Sequence, residues 1–289
     1  MRWLRLLEAT RAYILLLPAL AIVILLFGGG LLIGMTQSFG YFPVIGLTEF
    51  TLAHYVAVLS DSNFLLSLWQ TFRIAFWATL IPCVLAVGTA LVLRQQFPNS
   101  QLAKFVYQIP IPIPHLVAAN GIVLLVTQSG LLARIAVNLQ LIDKPADFPV
   151  MVFDRPGIAI ILTFVWKEVP FIGLVVLAIL QSVGPQYEEI ARTLGANRWQ
   201  RFWYVLLPLI MPGIISTSII VFAFVFASYE IPLLLGVRYP TTLPVLAFQR
   251  YQNPDLNMRP QALAMSMILT FISIALLVAY RRLAKYAVK

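Results

Sequence analysis

The chain has 289 residues, of which 61% are hydrophobic and 11% charged, and its formal net charge is +9. A mean hydropathy of +0.89 excludes an ordinary soluble domain and predicts a protein of the lipid bilayer. The length allows about six spanning helices of roughly 20 residues each, without room for a separate soluble domain. We therefore expect one membrane domain over residues 1–289. The basic residues are spread among short segments between apolar runs, so nucleic acid is not an expected partner.

Six apolar runs, taken in chain order, predict an all-α membrane protein. Short polar segments separate them, and each run is long enough to cross the hydrocarbon core. The predicted spans are residues 12–36, 67–93, 105–127, 157–181, 208–230 and 261–280. Three arginines precede the first run, as in a signal peptide, but the run is long and has no clear small-residue cleavage site. We expect it to remain as an uncleaved span.

The distribution of Lys and Arg predicts the orientation of these spans. Twelve of these residues fall in segments on the side of both chain termini, and six fall on the opposite side. The positive-inside rule therefore places both termini and the segment 184–207 in the cytoplasm. The first outer loop agrees, because it contains Glu49, His54 and Asp61 but no Lys or Arg.

Alternating prolines interrupt the start of the third span. Pro110, Pro112 and Pro114 occur in the sequence IPIPIPHL, and each removes a backbone donor. A regular helix cannot pass through them, so we expect irregular or strongly bent backbone. In a membrane such backbone is tolerated where protein or water covers it. This segment should therefore face the helix bundle or a cavity.

The segment GPQYEEIARTLGANRWQRFWYVLLP, residues 184–208, is unusually charged for this chain. Pro185 suits the first turn of a helix, and Glu188 and Glu189 follow near the positive end of the helix dipole. Gly195 then provides a stop. These signals predict a cytoplasmic helix of about ten residues.

One face of this predicted helix is apolar. Its members recur at helical spacing and are Tyr187, Ile190, Ala191 and Leu194. Asn197 can cap a second helix, with Gln200 three positions later, and that helix leads into the fifth span at Pro208. Periodicity alone leaves two interpretations open, since the apolar face could lie in the lipid interface or fit a groove on a soluble partner.

The same segment resembles the cytoplasmic loop signature of ABC importer permeases, which reads E-A-A, three residues, G, nine residues, I, one residue and L-P. The corresponding residues, at the same spacing, are Glu189, Ile190, Ala191, Gly195, Val205, Leu207 and Pro208. Ile190 replaces the usual alanine, and Val205 replaces the usual isoleucine. The proline-rich start of the third span, WKEVPF and RTLGA also resemble this family. The chain is thus similar to the permease subunit of a type I, binding-protein-dependent ABC importer.

This resemblance implies that the loop is a coupling helix seated in a cleft of a separate ATP-hydrolysing subunit. The implied coupling residues are Tyr187, Glu188, Glu189, Ile190, Ala191, Arg192, Leu194, Gly195, Ala196 and Pro208. It further implies a charged contact or cap for Glu189, and a corner that only a small residue fits at Gly195. The implied partners are two ATP-binding subunits, a second permease subunit and an extracytoplasmic solute-binding protein, in a bacterial-type cytoplasmic (inner) membrane. We expect the second permease to be a paralogue rather than a second copy.

No catalytic residue is expected in this chain. It contains no G-x-x-x-x-G-K-[ST] phosphate loop, so ATP and Mg should be bound by the partner ATPase. His54 and His115 lack metal-ligand spacing and are expected to be ordinary structural residues. We therefore expect no metal or other cofactor on this chain.

Ionisable residues at membrane depth are candidates for the translocation path. Lys167 and Glu168 lie about eleven residues into the fourth predicted span, roughly 15 Å along its axis. Each costs about 2.5–3.5 kcal/mol there unless it is solvated or paired. Neighbouring residues point about 100° apart on a helix, so each should have its own partner or face a water-filled path. An interhelical structural pair is the alternative. Tyr229 and Glu230, at the outer end of the fifth span, form a second candidate pair.

Two features bear on the transported solute. ARTLGA resembles permeases of polyamine, ferric iron, sulfate, thiamine and phosphonate systems, and the outer segment 236–266 resembles the polyamine type most. A polyamine-type or other small charged solute is therefore the expectation. Two other classes stay open. A secondary transporter also uses broken helices and buried charges, and a non-transporting membrane assembly protein could have six spans.

Overall fold

The computed structural model describes residues 15–95 and 98–287. Over these residues the chain is built from helices and turns, with an isolated β-bridge between Phe42 and Leu47. The all-α fold class is therefore confirmed. The first three residues of the first predicted span, 12–14, lie outside the described part of the chain.

Helices α1 to α12 follow one another in the described residues. Their bounds are α1 Leu15–Ser38, α2 Ala53–Leu59, α3 Ser62–Leu93, α4 Ser100–Gln108, α5 His115–Val126, α6 Leu131–Asn138, α7 Ile158–Val183, α8 Gln186–Thr193, α9 Arg198–Ala227, α10 Glu230–Leu235, α11 Leu243–Tyr251 and α12 Arg259–Ala287. A π-helical turn widens α1 at Ile24–Gly28, and another widens α9 at Phe202–Leu206, directly before Leu207 and Pro208.

Six helical segments of the described chain are long and apolar enough to cross a membrane, as the sequence predicts. They are Leu15–Ser38, Ser62–Leu93, His115–Asn138, Ile158–Val183, Arg198–Ala227 and Leu256–Arg282. The third begins later than residue 105, because the three prolines separate α4 from α5. The fifth begins earlier than residue 208, because Asn197 starts a helix that continues through Pro208.

The chain groups into two compact units, and the first lies within residues 1–61 and 247–268. In this unit α1 packs against the start of α12 at Gly34, where an added Cβ would lie 3.3 Å from Met267 Cε. Arg250 forms an ion pair with Asp61. The most apolar window of α1 has no residue buried by the described chain, which suits a surface covered by lipid or another subunit.

The second unit lies within residues 62–246 and 269–289 and is built around α3, α7 and α9. The buried face of α3 carries small residues that let spanning helices approach closely, namely Ala75, Ala78, Ala86 and Ala90. Gly173 of α7 has the same effect, because the Tyr107 hydroxyl occupies the place where a Cβ would be. This hydroxyl donates to the Val169 carbonyl at 2.9 Å. The end of α4 is thereby fixed on α7.

Candidate functional site

Helix α8 is the element that the loop signature singles out. It runs over eight residues, Gln186–Thr193, with Glu188 and Glu189 in its first turn. Gly184 before it and Gly195 after it both adopt positive φ, at +72° and +83°. L residues rarely adopt this conformation, so both junctions favour glycine. The structure thus contains the predicted short helix and the glycine corner that follows it.

The apolar face of α8 is largely exposed within this chain. Tyr187 is 51% exposed, Ile190 59% and Leu194 82%, whereas Ala191 is half-buried. The predicted stripe therefore divides into an outward face of three large side chains and an inward face that contains Ala191. A group of large apolar side chains exposed on a short helix is a feature of interaction surfaces.

The two glutamates of α8 face different surroundings. Glu189 is exposed, whereas Glu188 is half-buried and forms an ion pair with Arg94 at 2.5 Å. Arg94 follows the last residue of α3, and its backbone N–H donates to the Ala90 carbonyl at 3.0 Å. The role of Arg94 cannot be predicted from the sequence, since nothing local to residue 94 indicates a partner in a loop so distant in the chain.

Gly195 forms the corner after α8, and its backbone conformation alone gives a reason for glycine at this position. A Cβ at this position would have no atom of the described chain within 4 Å, so the corner is not crowded within this subunit. The requirement comes from the backbone conformation at φ +83°. The Gly195 N–H donates to the Arg192 carbonyl, and the Ala196 N–H donates to the Ala191 carbonyl, both at 3.0 Å.

The cap of the following helix is confirmed. The Gln200 N–H donates to Asn197 Oδ1, and the Asn197 N–H donates to Gln200 Oε1, both at 2.8 Å. This reciprocal arrangement is a capping box and fixes the start of α9. The corner at Gly195 and this cap together set the direction of α8 relative to the fifth span.

Lys167 lies in α7 and is 5% exposed. Its ammonium donates to the Pro110 carbonyl at 2.7 Å, to the Ile111 carbonyl at 3.0 Å and also to the Ile113 carbonyl. These carbonyls belong to the break between α4 and α5, as predicted for backbone that must be covered by protein. A helix would bond the Pro110 carbonyl to residue 114, but Pro114 has no N–H. The three donors of Lys167 replace the missing helical bonds.

Glu168, the next residue of α7, is 7% exposed and has a different partner. Its Oε1 lies 3.5 Å from Nε2 of His115, the first residue of α5. Phe224 packs beside the imidazole with ring centroids 4.8 Å apart. From the sequence, His115 is expected to be an ordinary structural residue. The structure places it next to Glu168, a candidate residue of the path. In the described part of the chain no three His, Cys, Asp or Glu residues are grouped to hold a metal ion.

The second candidate pair lies at the start of α10. Tyr229 precedes this helix, and its carbonyl accepts a hydrogen bond from the Leu233 N–H at 2.8 Å. Glu230 is the first residue of α10, and both side chains are exposed within this chain. Helix α10 packs on α5 and α7, the helices that carry His115 and Glu168.

Arg73 is a further charged residue in a spanning helix, and it was not among the residues predicted for the site. It donates to Gln70 Oε1 at 2.8 Å and to the Arg155 carbonyl, which also accepts from Gln70 Nε2 at 2.8 Å. Next to it, Asp154 caps α7 by accepting from the Ile158 N–H at 3.0 Å. Burial raises the pKa of the Asp154 carboxyl, and the hydrogen bond from Ile158 opposes this shift. These contacts fix the start of α7.

The fold and these features define a multi-spanning helical membrane protein with an exposed amphipathic helix between its fourth and fifth spans. Residues 83–289 match the family model described as "Binding-protein-dependent transport system inner membrane component". The chain therefore belongs to this family.

Individual permeases and a solved transporter structure are also similar to this chain. The chain is 31% identical over 203 residues to the sulfate transport system permease protein CysW of Synechocystis sp., covering 69% of this chain and 70% of the relative. It is 27% identical over 263 residues to the trehalose/maltose transport system permease protein MalF of Thermococcus litoralis, covering 86% and 85%. A chain of a bacterial alginate ABC transporter crystal structure shares the fold, with a TM-score of 0.82, 17% identity and coverage of 99% and 98%.

The chain is thus a permease of the type I ABC importer kind, as the loop signature indicated. In such transporters the permease is the non-catalytic subunit, and a separate subunit hydrolyses ATP.

Proposed function

We propose that this chain forms part of the translocation path of an ATP-driven importer and receives mechanical work through α8. The observation that carries the proposal is the outward face of α8, where Tyr187, Ile190 and Leu194 are exposed between two glycine junctions. Such a face fits a groove on a soluble partner, here an ATP-binding subunit. Burying three large side chains there would contribute several kcal/mol of association free energy, at about 25 cal/mol per Å².

The remaining partners follow from the same proposal. The chain works with two ATP-binding subunits, a second permease subunit and an extracytoplasmic solute-binding protein. Family membership supports the binding protein, and the exposed apolar surface of α1 offers room for lipid or the second permease. The excess of Lys and Arg supports an orientation with both termini and α8 in the cytoplasm.

For the solute, we propose a small charged molecule and take sulfate as the first to test. The sulfate permease of Synechocystis sp. supports this choice. The polyamine-type expectation rests on sequence resemblance alone, and the relatives named above do not support it. We assign Glu168, Tyr229 and Glu230 to the lining of the path rather than to direct contact with sulfate, because the two carboxylates would repel an anion. We assign Lys167 a structural role instead of solute contact, because its ammonium already donates to three backbone carbonyls of this chain.

Co-purification tests the importer proposal. An affinity tag on this chain, expressed with its natural partners, should retain a nucleotide-binding subunit after extraction in mild detergent. Replacing Tyr187, Ile190 and Leu194 together by serine should release that subunit while the chain stays in the membrane fraction. If the unaltered chain holds no nucleotide-binding subunit under any extraction condition, the proposal fails.

Ligand-dependent thermal stabilisation of the cognate binding protein tests the solute. A ligand at 100 times its Kd stabilises its receptor by about 2.7 kcal/mol, which is readily seen as a rise in Tm. Sulfate should raise the Tm, while spermidine and maltose should not. A rise with spermidine alone would overturn the choice of sulfate and restore the polyamine-type expectation.

Glu168→Gln is expected to lower solute uptake more than it lowers the yield of assembled transporter complex. The substitution keeps the side-chain shape beside His115, but it removes the charge. We expect uptake per assembled complex to fall at least about fivefold, equivalent to ~1 kcal/mol in the barrier. Uptake of the stabilising solute into proteoliposomes and the yield of assembled complex measure the two effects. Glu49→Gln, the same change at an exposed residue, is the matched control. Loss of assembly with unchanged uptake per complex would make Glu168 structural.

A further inference from the structure

A glycine forms the chain connection at each end of α8. Gly184 joins it to α7 at φ +72°, and Gly195 joins it to the turn before α9 at φ +83°. Glycine has more backbone freedom than any other residue, so neither connection holds the helix rigidly by itself. A force applied to the outward face of α8 could rotate this short helix without moving a spanning helix. Contacts other than the chain connections must therefore fix α8 to the spans, and one of them is its packing against the Phe202–Leu206 turn of α9.

The ion pair between Arg94 and Glu188 is such a contact. Its N–O distance is 2.5 Å, and the side chains of Arg94 and Glu188 are 27% and 19% exposed. Glu188 points inward while Tyr187 and Ile190 on the same helix are exposed. The pair therefore lies on a different side of α8 from its proposed docking face.

Arg94 is firmly attached to α3. Its N–H continues the helical hydrogen bonding by donating to the Ala90 carbonyl, and Ala90 and Leu93 are buried, at 0% and 7% exposure. Helix α3 packs along α7, the helix that carries Lys167 and Glu168. A displacement of Arg94 therefore moves a helix in the centre of the second unit.

We propose that the Arg94–Glu188 ion pair joins α8 to α3, so that α8 and α3 move as one body when the ATPase subunits close. This inference rests on the proposed docking of α8. It gives the two adjacent glutamates different positions: Glu188 passes the displacement to α3, whereas Glu189 is exposed on another side of α8. Arg94 and Glu188 are positioning residues, with no part in ATP hydrolysis or solute binding.

The distance between spin labels on α3 and α8 tests this directly and needs no solute. Val92→Cys on α3 and Thr193→Cys on α8 place labels at exposed positions, in a Cys83→Ala background that removes the single native cysteine. The complex is purified with its ATPase subunits and measured without nucleotide and after trapping with ATP and vanadate. We expect one narrow distance distribution that is the same in both states.

Breaking the pair should loosen α8. In Arg94→Gln or Glu188→Gln the distribution should become roughly twice as wide, because the contact with the Phe202–Leu206 turn then holds α8 between its two glycine junctions without the link to α3. The matched control is Glu49→Gln, the same change at an exposed residue outside α8, which should keep the narrow distribution. The exchanged pair Arg94→Glu with Glu188→Arg should restore the narrow distribution, which a purely local structural role for either residue would not predict.

The outcomes separate this inference from the proposed function. If the ATPase subunits are retained and the single variants keep the narrow distribution, the ion pair does not link the helices. A change in the label distance between the two nucleotide states of the unaltered pair also overturns the inference, since α8 and α3 would then move separately. Absence of ATPase subunits from the purified complex would instead overturn the docking of α8 itself.

Discussion

Gly195→Pro is expected to abolish solute-stimulated ATP hydrolysis while leaving the chain inserted in the membrane. Gly195 adopts φ +83°, whereas the proline ring fixes φ near −65°, so the corner after α8 cannot keep its direction. Proline also removes the N–H that donates to the Arg192 carbonyl. With the outward face of α8 turned away, we expect stimulated hydrolysis to fall at least about tenfold, equivalent to ~1.4 kcal/mol. Hydrolysis in proteoliposomes with loaded binding protein measures the loss.

Gly195→Asn is the matched control for this prediction. A Cβ has open space at this position within the described chain, and asparagine tolerates positive φ better than most residues. Its hydrolysis should therefore stay close to that of the unaltered complex. If Gly195→Pro also keeps normal stimulation, the corner does not set the docking geometry. If Asn fails as completely as Pro, the partner ATPase crowds the position, which would support the sequence-based expectation of a corner that only a small residue fits.

Features encoded by neighbouring residues were predictable from the sequence. The capping box of Asn197 and Gln200 depends on residues three positions apart, and the structure shows both of its hydrogen bonds. The apolar face of α8 follows from helical spacing, although periodicity does not show that Ala191 turns inward. The break at Pro110–Pro114 also follows locally, because proline has no N–H to continue a helix.

Contacts between distant segments were not predictable in the same way. The pairing of Arg94 with Glu188 joins the end of one span to a loop after another, and neither residue indicates the other in the sequence. His115 has no metal-ligand spacing, yet the fold places it 3.5 Å from Glu168. Such pairings depend on how the spanning helices pack, which a single sequence does not reveal.

Lys167 combines both cases. Its position at membrane depth predicted a partner or a water-filled path, and the prolines predicted backbone that needs cover. In the sequence these are separate features. The structure shows that the Lys167 ammonium donates to the carbonyls of the interrupted backbone, so each supplies the hydrogen-bonding partner that the other lacks. A buried ammonium needs acceptors, and a broken helix leaves carbonyls without donors. The most damaging single substitution should therefore be one that removes these donors.

Lys167→Met is expected to destabilise the folded chain rather than only slow transport. Methionine fills a similar volume but leaves the carbonyls of Pro110, Ile111 and Ile113 without donors. An unsatisfied buried polar group costs about 1–3 kcal/mol, so the total should be at least ~3 kcal/mol. At about 2–4 °C per kcal/mol, the Tm of the detergent-solubilised complex should fall by roughly 10 °C. Differential scanning fluorimetry measures this change.

Two comparisons decide between a structural and a solute-binding role for Lys167. Lys167→Arg keeps the charge and several donors, but its planar fork cannot converge on three carbonyls as an ammonium does, so its Tm should be intermediate. Glu168→Gln, a neutralising change on the next residue, should leave the Tm nearly unchanged because glutamine fills the same space and Glu168 makes no hydrogen bond with His115 that would be lost. If Lys167→Met instead keeps a normal Tm and loses uptake, its ammonium serves the solute. The backbone at Pro110–Pro114 would then have to be held by other donors, because its carbonyls cannot stay buried without them.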